Sequence, residues 1–402
     1  MIQFSKILAL FILILSEIRP FLIPASLTKF NAPRSEVALF AQKSPPLIKT
    51  LTRPPRLPIW PVFPGVLLSI LDLLNLPTSL SATLEDQTFG GRVSPIQFQP
   101  ELTSPFILLV HHRHRFTELN FLIRKLTEFV LPEGFPAHPH RGFETLTMCM
   151  KGGMVHRDSI GVKQVYGTKA PEWCQWLKAG RGVLHEEFWA TNMEPDQELY
   201  QIWIDSPRDL KMCEPESKLL GDGSGVKIER KDGVEEISVE RPWRDGGSST
   251  SVRIVKLERK DDDDVGGVYD CRIPEGHETV ILYVKSGSGS GQKGVKINDS
   301  EFIPVHSYAL LTLPPSLSFT VSLSEPGSSG SSEILLLTGR PLNHPVIAAG
   351  SFVMNTETEI NQAQIDYSKG LMGKPWDHKI DDKEWQIEVA THWADMQRNE
   401  RK

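Results

Sequence analysis

Two pairs of metal-binding side chains, each pair two residues apart, constrain this 402-residue chain more than any other feature of it. The first pair is His138 with His140, in Gly-Phe-Pro-Ala-His-Pro-His-Arg-Gly-Phe-Glu-Thr (134–145). The second is His185 with Glu187, in Ala-Gly-Arg-Gly-Val-Leu-His-Glu-Glu (179–187). On a β-strand, residues i and i+2 point to the same face. Two neighbouring strands that carry one pair each therefore converge four ligands on one point. Three imidazoles and a carboxylate, with coordination positions left open, suit a catalytic divalent metal rather than a closed structural site. A single His-x-His is ordinarily a loop or core feature; two such pairs, both among glycines and close in the chain, are not.

The same residues carry a family likeness. Phe-Pro-Ala-His-Pro-His-Arg-Gly-Phe-Glu-Thr, then His156-Arg157-Asp158-Ser159, then Ala-Gly-Arg-Gly-Val-Leu-His-Glu-Glu resembles the pirin family of the cupin superfamily. Gly-Arg-Pro-Leu-Asn-His-Pro-Val (339–346) and Phe-Val-Met-Asn-Thr (352–356) continue the match, which runs in family order over residues 85 to 375. The resemblance implies an all-β fold of two tandem cupin β-barrels, a bicupin; residue patterning adds a short C-terminal helical segment and a flexible N-terminal leader. The resemblance also implies a metal, Fe(II) by family likeness, on His138, His140, His185 and Glu187 of the N-terminal barrel. The ligand types alone would equally accept Mn, Ni, Co, Cu or Zn. Glu144 stands four residues after His140, where many other cupins place a carboxylate ligand. In the pirin pattern it is not a ligand, and here it is expected to orient a histidine. Glu186 adjoins His185 in sequence and should face away from the metal.

The first 80 residues read as a targeting leader. Ile7–Leu15 is an unbroken apolar run of nine residues, about 14 Å as a helix and too short for a bilayer core. It fits the apolar region of a signal peptide, with Ala25-Ser26 a weak cleavage candidate. Residues 26–60 contain Pro, Lys and Arg with Glu36 as the only acid, a transit-like composition. The two together resemble a bipartite plastid leader; an ordinary secretory leader with a basic spacer is the competing expectation. Leu57–Leu76 is apolar, but Pro58, Pro61, Pro64 and Asp72 disfavour a transmembrane helix.

Residues 1–80 hold eight Lys and Arg against three acids, whereas the remainder holds 36 basic against 47 acidic groups. An acidic body is poorly suited to neutralising phosphates, so direct nucleic-acid binding is not expected. Cysteines 149, 174, 213 and 271 show no C-x-x-C spacing and read as small core residues.

The expected organisation is an N-terminal metal-binding cupin at 85–215, a second cupin at 220–345 and a helical tail at 346–402. Strands are expected at 105–110, 146–150, 199–204, 279–284, 309–313 and 333–337. His111-His112-Arg113-His114 is flanked by basic residues and is expected at the surface, with an accessory metal or substrate site as the alternative. His156 is expected as a hydrogen-bonded core or supporting histidine, and Trp173 and Trp176 as barrel core. His277 and His306 stand isolated, so the second barrel is expected to be metal-free. Ile360–Ser368 is helical in pattern. Trp385, Val389, Trp393 and Met396 recur at helical spacing and make an apolar stripe for docking on the parent domain; the pirin resemblance implies that this segment packs on the N-terminal barrel.

Likeness to pirins with quercetin 2,3-dioxygenase activity implies a metal-dependent dioxygenase acting on a flavonol or related small aromatic with O₂. Glu187 would take the substrate's 3-hydroxyl proton. A second expectation of a different class is a metal- or redox-responsive regulator acting through a protein partner. A cupin isomerase or storage barrel is a third. A monomer is expected, without membrane attachment.

Overall fold

The computed structural model describes residues 47–58, 91–116, 134–259, 267–288, 293–324 and 330–400. The apolar run 7–15 and most of 57–76 lie outside them, as do residues 1–46 of the expected leader. Residues 47–58, counted above within that leader, are instead part of the fold. They supply strands β1 (Ile48–Thr52) and β2 (Leu57–Pro58).

The first barrel uses β3 (Gly91–Gln97), a short helix α1 (Pro100–Thr103), β4 (Phe106–Arg115), β5 (Gly134–His140), β6 (Phe143–Lys151), β7 (Gly153–Asp158) and β8 (Lys163–Gly167). It continues with β9 (Glu172–Lys178), β10 (Val183–Trp189), β11 (Asp196–Asp205) and β12 (Glu216–Asp222). The second uses β13 (Gly225–Lys231), β14 (Val234–Val239), β15 (Thr250–Arg259), β16 (Val268–Arg272), β17 (Thr279–Gly287) and β18 (Gly294–Ile297). Its remaining strands are β19 (Glu301–Pro304), β20 (Ser307–Leu311), β21 (Ser318–Leu323) and β22 (Gly330–Gly339). A hairpin of β23 (Ile347–Ala349) and β24 (Phe352–Met354) then leads to α2 (Glu357–Ser368) and α3 (Asp382–Glu400).

One 14-stranded sheet runs through both barrels, in the order β1-β20-β17-β22-β15-β14-β13-β12-β9-β6-β11-β4-β3-β2. Its two outermost strands are consecutive in the chain. Only Arg53-Pro54-Pro55-Arg56 joins them, so Thr52 and Leu57 lie at most about 18 Å apart even when that link is extended, and the sheet curls to bring its two edges near one another. Two four-stranded sheets, β5-β10-β7-β8 and β16-β21-β18-β19, complete the barrels.

This arrangement buries both faces of the long sheet's central strands, which explains their unbroken apolar runs. In β22, Leu335 and Leu337 join a core shared by the two barrels, whereas Ile334 and Leu336 join the core of the second barrel. In β17, Ile281 and Tyr283 face the shared core, with Val280, Leu282 and Val284 opposite. Phe106, Leu146, Trp176 and Ile202 enter the shared core from the first barrel. The tail forms a further core with strands β5 and β10, through Ala137, Leu184, Phe352, Met372 and Trp385. Gly142 turns the chain from β5 to β6 at φ +83°, and a Cβ there would lie 2.0 Å from the carbonyl oxygen of Val353. Only glycine fits both demands. Among the described residues no helix is long and apolar enough to cross a membrane.

Candidate metal centre

β5 and β10 pair antiparallel, with His138 opposite His185 and His140 opposite Val183. This register brings three imidazoles together. Ring centroids lie 4.5 Å apart for His138–His185, 4.7 Å for His140–His185 and 4.8 Å for His138–His140. One nitrogen from each comes within 4.8 Å of the others. His140 and His185 are buried and His138 is half-buried.

Their protonation suits a cation. His138 Nδ1 donates to the carbonyl of Pro136 at 2.9 Å; because a carbonyl only accepts, Nδ1 carries the proton and Nε2 keeps its lone pair. Burial lowers all three pKa values, to about 4 for His138 and well below the usual imidazole range for His140 and His185. Mutual repulsion with the neighbouring histidines adds to this. All three are neutral at pH 7, the form that binds metal. His140 Nδ1 and His185 Nε2 are buried without a hydrogen-bond partner. A buried unpaired polar atom is costly, and a divalent cation held by these nitrogens would satisfy it. The donor set fits such an ion.

Behind the cluster is a supporting relay. His185 Nδ1 lies 3.4 Å from His156 Nδ1, and His156 Nε2 lies 3.1 Å from Asp158 Oδ2. Asp158 Oδ1 accepts from the amides of Ile160 and Val162 at 3.0 and 2.9 Å. This fixes the His156 ring, which in turn fixes His185.

Glu187 is buried on the same strand but stands outside the histidine cluster. It accepts from Gln201 Nε2 at 2.9 Å and from Thr147 Oγ1 at 3.4 Å. A break in register between His185 and Glu187 places Glu187 opposite Phe135 rather than Pro136. Burial raises its pKa against the opposing influence of His156 and the two hydrogen bonds. Glu186 faces the other way and accepts from Arg157 Nε at 2.5 Å.

Glu144 does not orient a histidine. Its carboxylate accepts from Trp176 Nε1 at 2.8 Å and from Arg241 Nη2 at 2.6 Å, clamping the first barrel to the segment before β15. The 111–114 cluster is likewise not a surface loop. It lies within β4, with His111 and His114 buried and His112 half-buried. β4 lies inside the sheet between β3 and β11, with His111 on one face and His112 and His114 on the other, so the basic neighbours Arg113 and Arg115 gave a misleading signal. Trp176 is fully buried core. His277 is a satisfied core histidine, between Ser249 Oγ and Thr338 Oγ1 at 3.0 and 2.9 Å. Among the described residues the second barrel has no cluster that could hold a metal.

Three residues of the site escaped the sequence. Gln201 holds Glu187, Thr147 assists it, and Trp203 packs against His140 at 5.3 Å. The usable signal was Gln201 itself, a lone amide in the apolar strand Leu-Tyr-Gln-Ile-Trp-Ile.

A double cupin with three converging histidines in its first barrel defines a bicupin with one metal-type centre. The chain belongs to the pirin family: the Pirin family model matches residues 90–204 and the Pirin C-terminal cupin domain model matches residues 264–373. It is 32% identical to Pirin-1 of Arabidopsis thaliana over 306 residues, 73% of this chain and 92% of the other. It is 34% identical to human Pirin over 254 residues, 62% of this chain and 82% of that one. A Pseudomonas aeruginosa protein provisionally named a quercetin 2,3-dioxygenase is 31% identical over 249 residues, 60% of this chain and 80% of that protein. Among solved structures, a quercetin 2,3-dioxygenase from Acinetobacter baumannii superposes with a TM-score of 0.56 at 27% identity, covering 71% of this chain and 93% of the other.

Proposed function

We propose that this protein is an Fe(II)-dependent dioxygenase that opens a flavonol or related aromatic with O₂. The observation that carries this reading is the trio of neutral imidazoles with unpartnered nitrogens beside a buried carboxylate. His138, His140 and His185 would hold the metal, with Glu187 as fourth ligand and proton acceptor. A bound divalent iron would supply a Lewis-acidic, redox-active centre with open positions. Glu187 takes the proton of the substrate's 3-hydroxyl; burial makes its carboxylate a stronger base than an exposed one. Gln201 and Thr147 aim that carboxylate. Trp203 and Phe143, 4.5 Å apart and both against His140, keep the site dry. Likeness to proteins named quercetin dioxygenases supports the substrate class.

The test is quercetin-dependent O₂ uptake by the Fe(II)-loaded full chain, with metal content measured alongside. His138→Ala should lose both metal and uptake. Glu187→Gln should cut uptake at least a hundredfold, the range for loss of a general base. Stoichiometric metal without uptake in the parent protein would sink the enzyme reading and favour a regulator that acts through a protein partner. The plastid or secretory destination is also a proposal, resting on the apolar run 7–15 and the transit-like composition of residues 26–60, and imaging of a tagged full chain decides it.

A further inference from the structure

The face of the long sheet that covers the metal centre continues past Glu187. In the ladder between β4 and β11, Leu108 lies opposite Trp203, Val110 opposite Gln201 and His112 opposite Leu199. Directly opposed residues share a face. Trp203 touches His140 and Gln201 bonds Glu187, so His112 projects into the same barrel interior. On the facing sheet His185, Glu187 and Trp189 alternate along β10. Trp189 lies about 7 Å beyond Glu187 at ~3.3 Å per residue. Its ring meets His112 at 6.0 Å, and Phe135 closes edge-on over His112 at 5.5 Å.

Among the described residues, burial in this part of the barrel is one-sided. Leu108, Val110 and His112 are half-buried and Phe135 is exposed, whereas Thr145, Thr147 and Cys149 on β6 are buried at the same levels. His112 therefore stands on the less covered side of the barrel, one step beyond Glu187, against the rings of Trp189 and Phe135. Burial pushes its pKa down to about 3, so the ring is neutral. Nδ1 lies 3.4 Å from His114 Nε2, which leaves Nε2 for a ligand. A neutral imidazole nitrogen can donate to or accept from a hydroxyl.

We propose that His112 is a specificity-determining residue, hydrogen-bonding a hydroxyl on the pendant ring of the flavonol while Phe135 and Trp189 hold that ring. The substrate class rests on the dioxygenase reading above. Anaerobic calorimetric titration of the Fe(II)-loaded full chain would compare quercetin with galangin, the same flavonol lacking hydroxyls on its pendant ring. The parent protein should bind quercetin about tenfold more tightly, the worth of one hydrogen bond. His112→Phe should abolish that preference while leaving galangin binding unchanged, and His112→Gln should restore most of it. Equal affinities for the two flavonols in the parent protein would overturn the proposal, as would a preference that survives His112→Phe. Equal losses for both ligands would reduce His112 to packing and overturn it too. Binding of neither flavonol would overturn the substrate class and this proposal together, whereas binding without His112 dependence leaves the dioxygenase reading standing.

Discussion

Glu198 sits between the barrels with partners from both. It accepts from His111 Nε2 at 2.9 Å, and Lys285 Nζ lies 3.1 Å from its other oxygen and 3.0 Å from Glu333. Burial alone would raise its pKa; the His111 hydrogen bond and the Lys285 ammonium outweigh burial and hold it at about 2. For His111 burial wins and lowers the pKa despite Glu198. His111 is therefore neutral, donating to Glu198 through Nε2 and accepting from the Tyr283 hydroxyl through Nδ1, 3.0 Å away. Lys285 carries the positive charge. Because the folded pKa of Glu198 lies below its ordinary 4.5, its contribution is complete above pH 4.5 and fades as pH falls towards about 2. Melting temperatures of the parent protein and Glu198→Gln should differ most above pH 4.5 and converge below it. Parallel profiles across that window would show that the carboxyl is not held low. None of this network was legible in the sequence, since its members are distant in the chain and only the curled sheet unites them. The metal histidines were legible because i,i+2 spacing needs nothing beyond a strand.

At the scale of elements, the tail is the clearest case of partial legibility. The apolar stripe of α3 was readable: Trp385 and Val389 are buried, and Trp393 is half-buried. Its docking on the N-terminal barrel was implied by the family likeness, and the core it forms with Ala137 and Leu184 agrees; the individual polar partners were not legible. Trp393 Nε1 donates to the Ser159 carbonyl at 2.6 Å, while Ser159 Oγ donates to Met372 and accepts from the Leu184 amide at 3.0 Å. Arg157 lies 5.5 Å from the Trp385 ring centre and donates to the carbonyl of Ile380. The tail thus braces β7 and β10 immediately beside Asp158 and His185. Trp385→Ala should cost about 3–5 kcal/mol of stability in denaturant titration and lower the affinity for Fe(II). Unchanged metal affinity at the reduced stability would confine the tail to a packing role. The start of α2 was also readable, one turn earlier than helical periodicity indicates. Thr356 and Glu359 form a reciprocal capping box, Thr-x-x-Glu in the sequence.

Across the whole molecule, the two barrels are less separable than two family models in tandem suggest. Their shared core takes Phe106, Trp176 and Ile202 from one side and Ile254, Tyr283 and Leu335 from the other. Calorimetry of the full chain should show one transition whose calorimetric and van't Hoff enthalpies agree. Removal of residues 1–58 should lower the midpoint by several degrees and split the transition, because it strips both edges of the long sheet. An unchanged midpoint would mean that β1 and β2 are passengers. The expectation of a leader through residue 80 missed these strands because a basic, Pro-bearing stretch looks alike whether it is discarded or laid along a sheet edge. Its partners are far away: the Leu47 and Ile48 amides bond Glu301 across 254 and 253 residues.

That distance sets an order of events during synthesis. β1 leaves the ribosome long before β20, and at roughly 5–20 residues per second the wait exceeds ten seconds. The earliest strand is among the last to find its neighbour. A chain still being made stays unlatched until its far half is free to receive it.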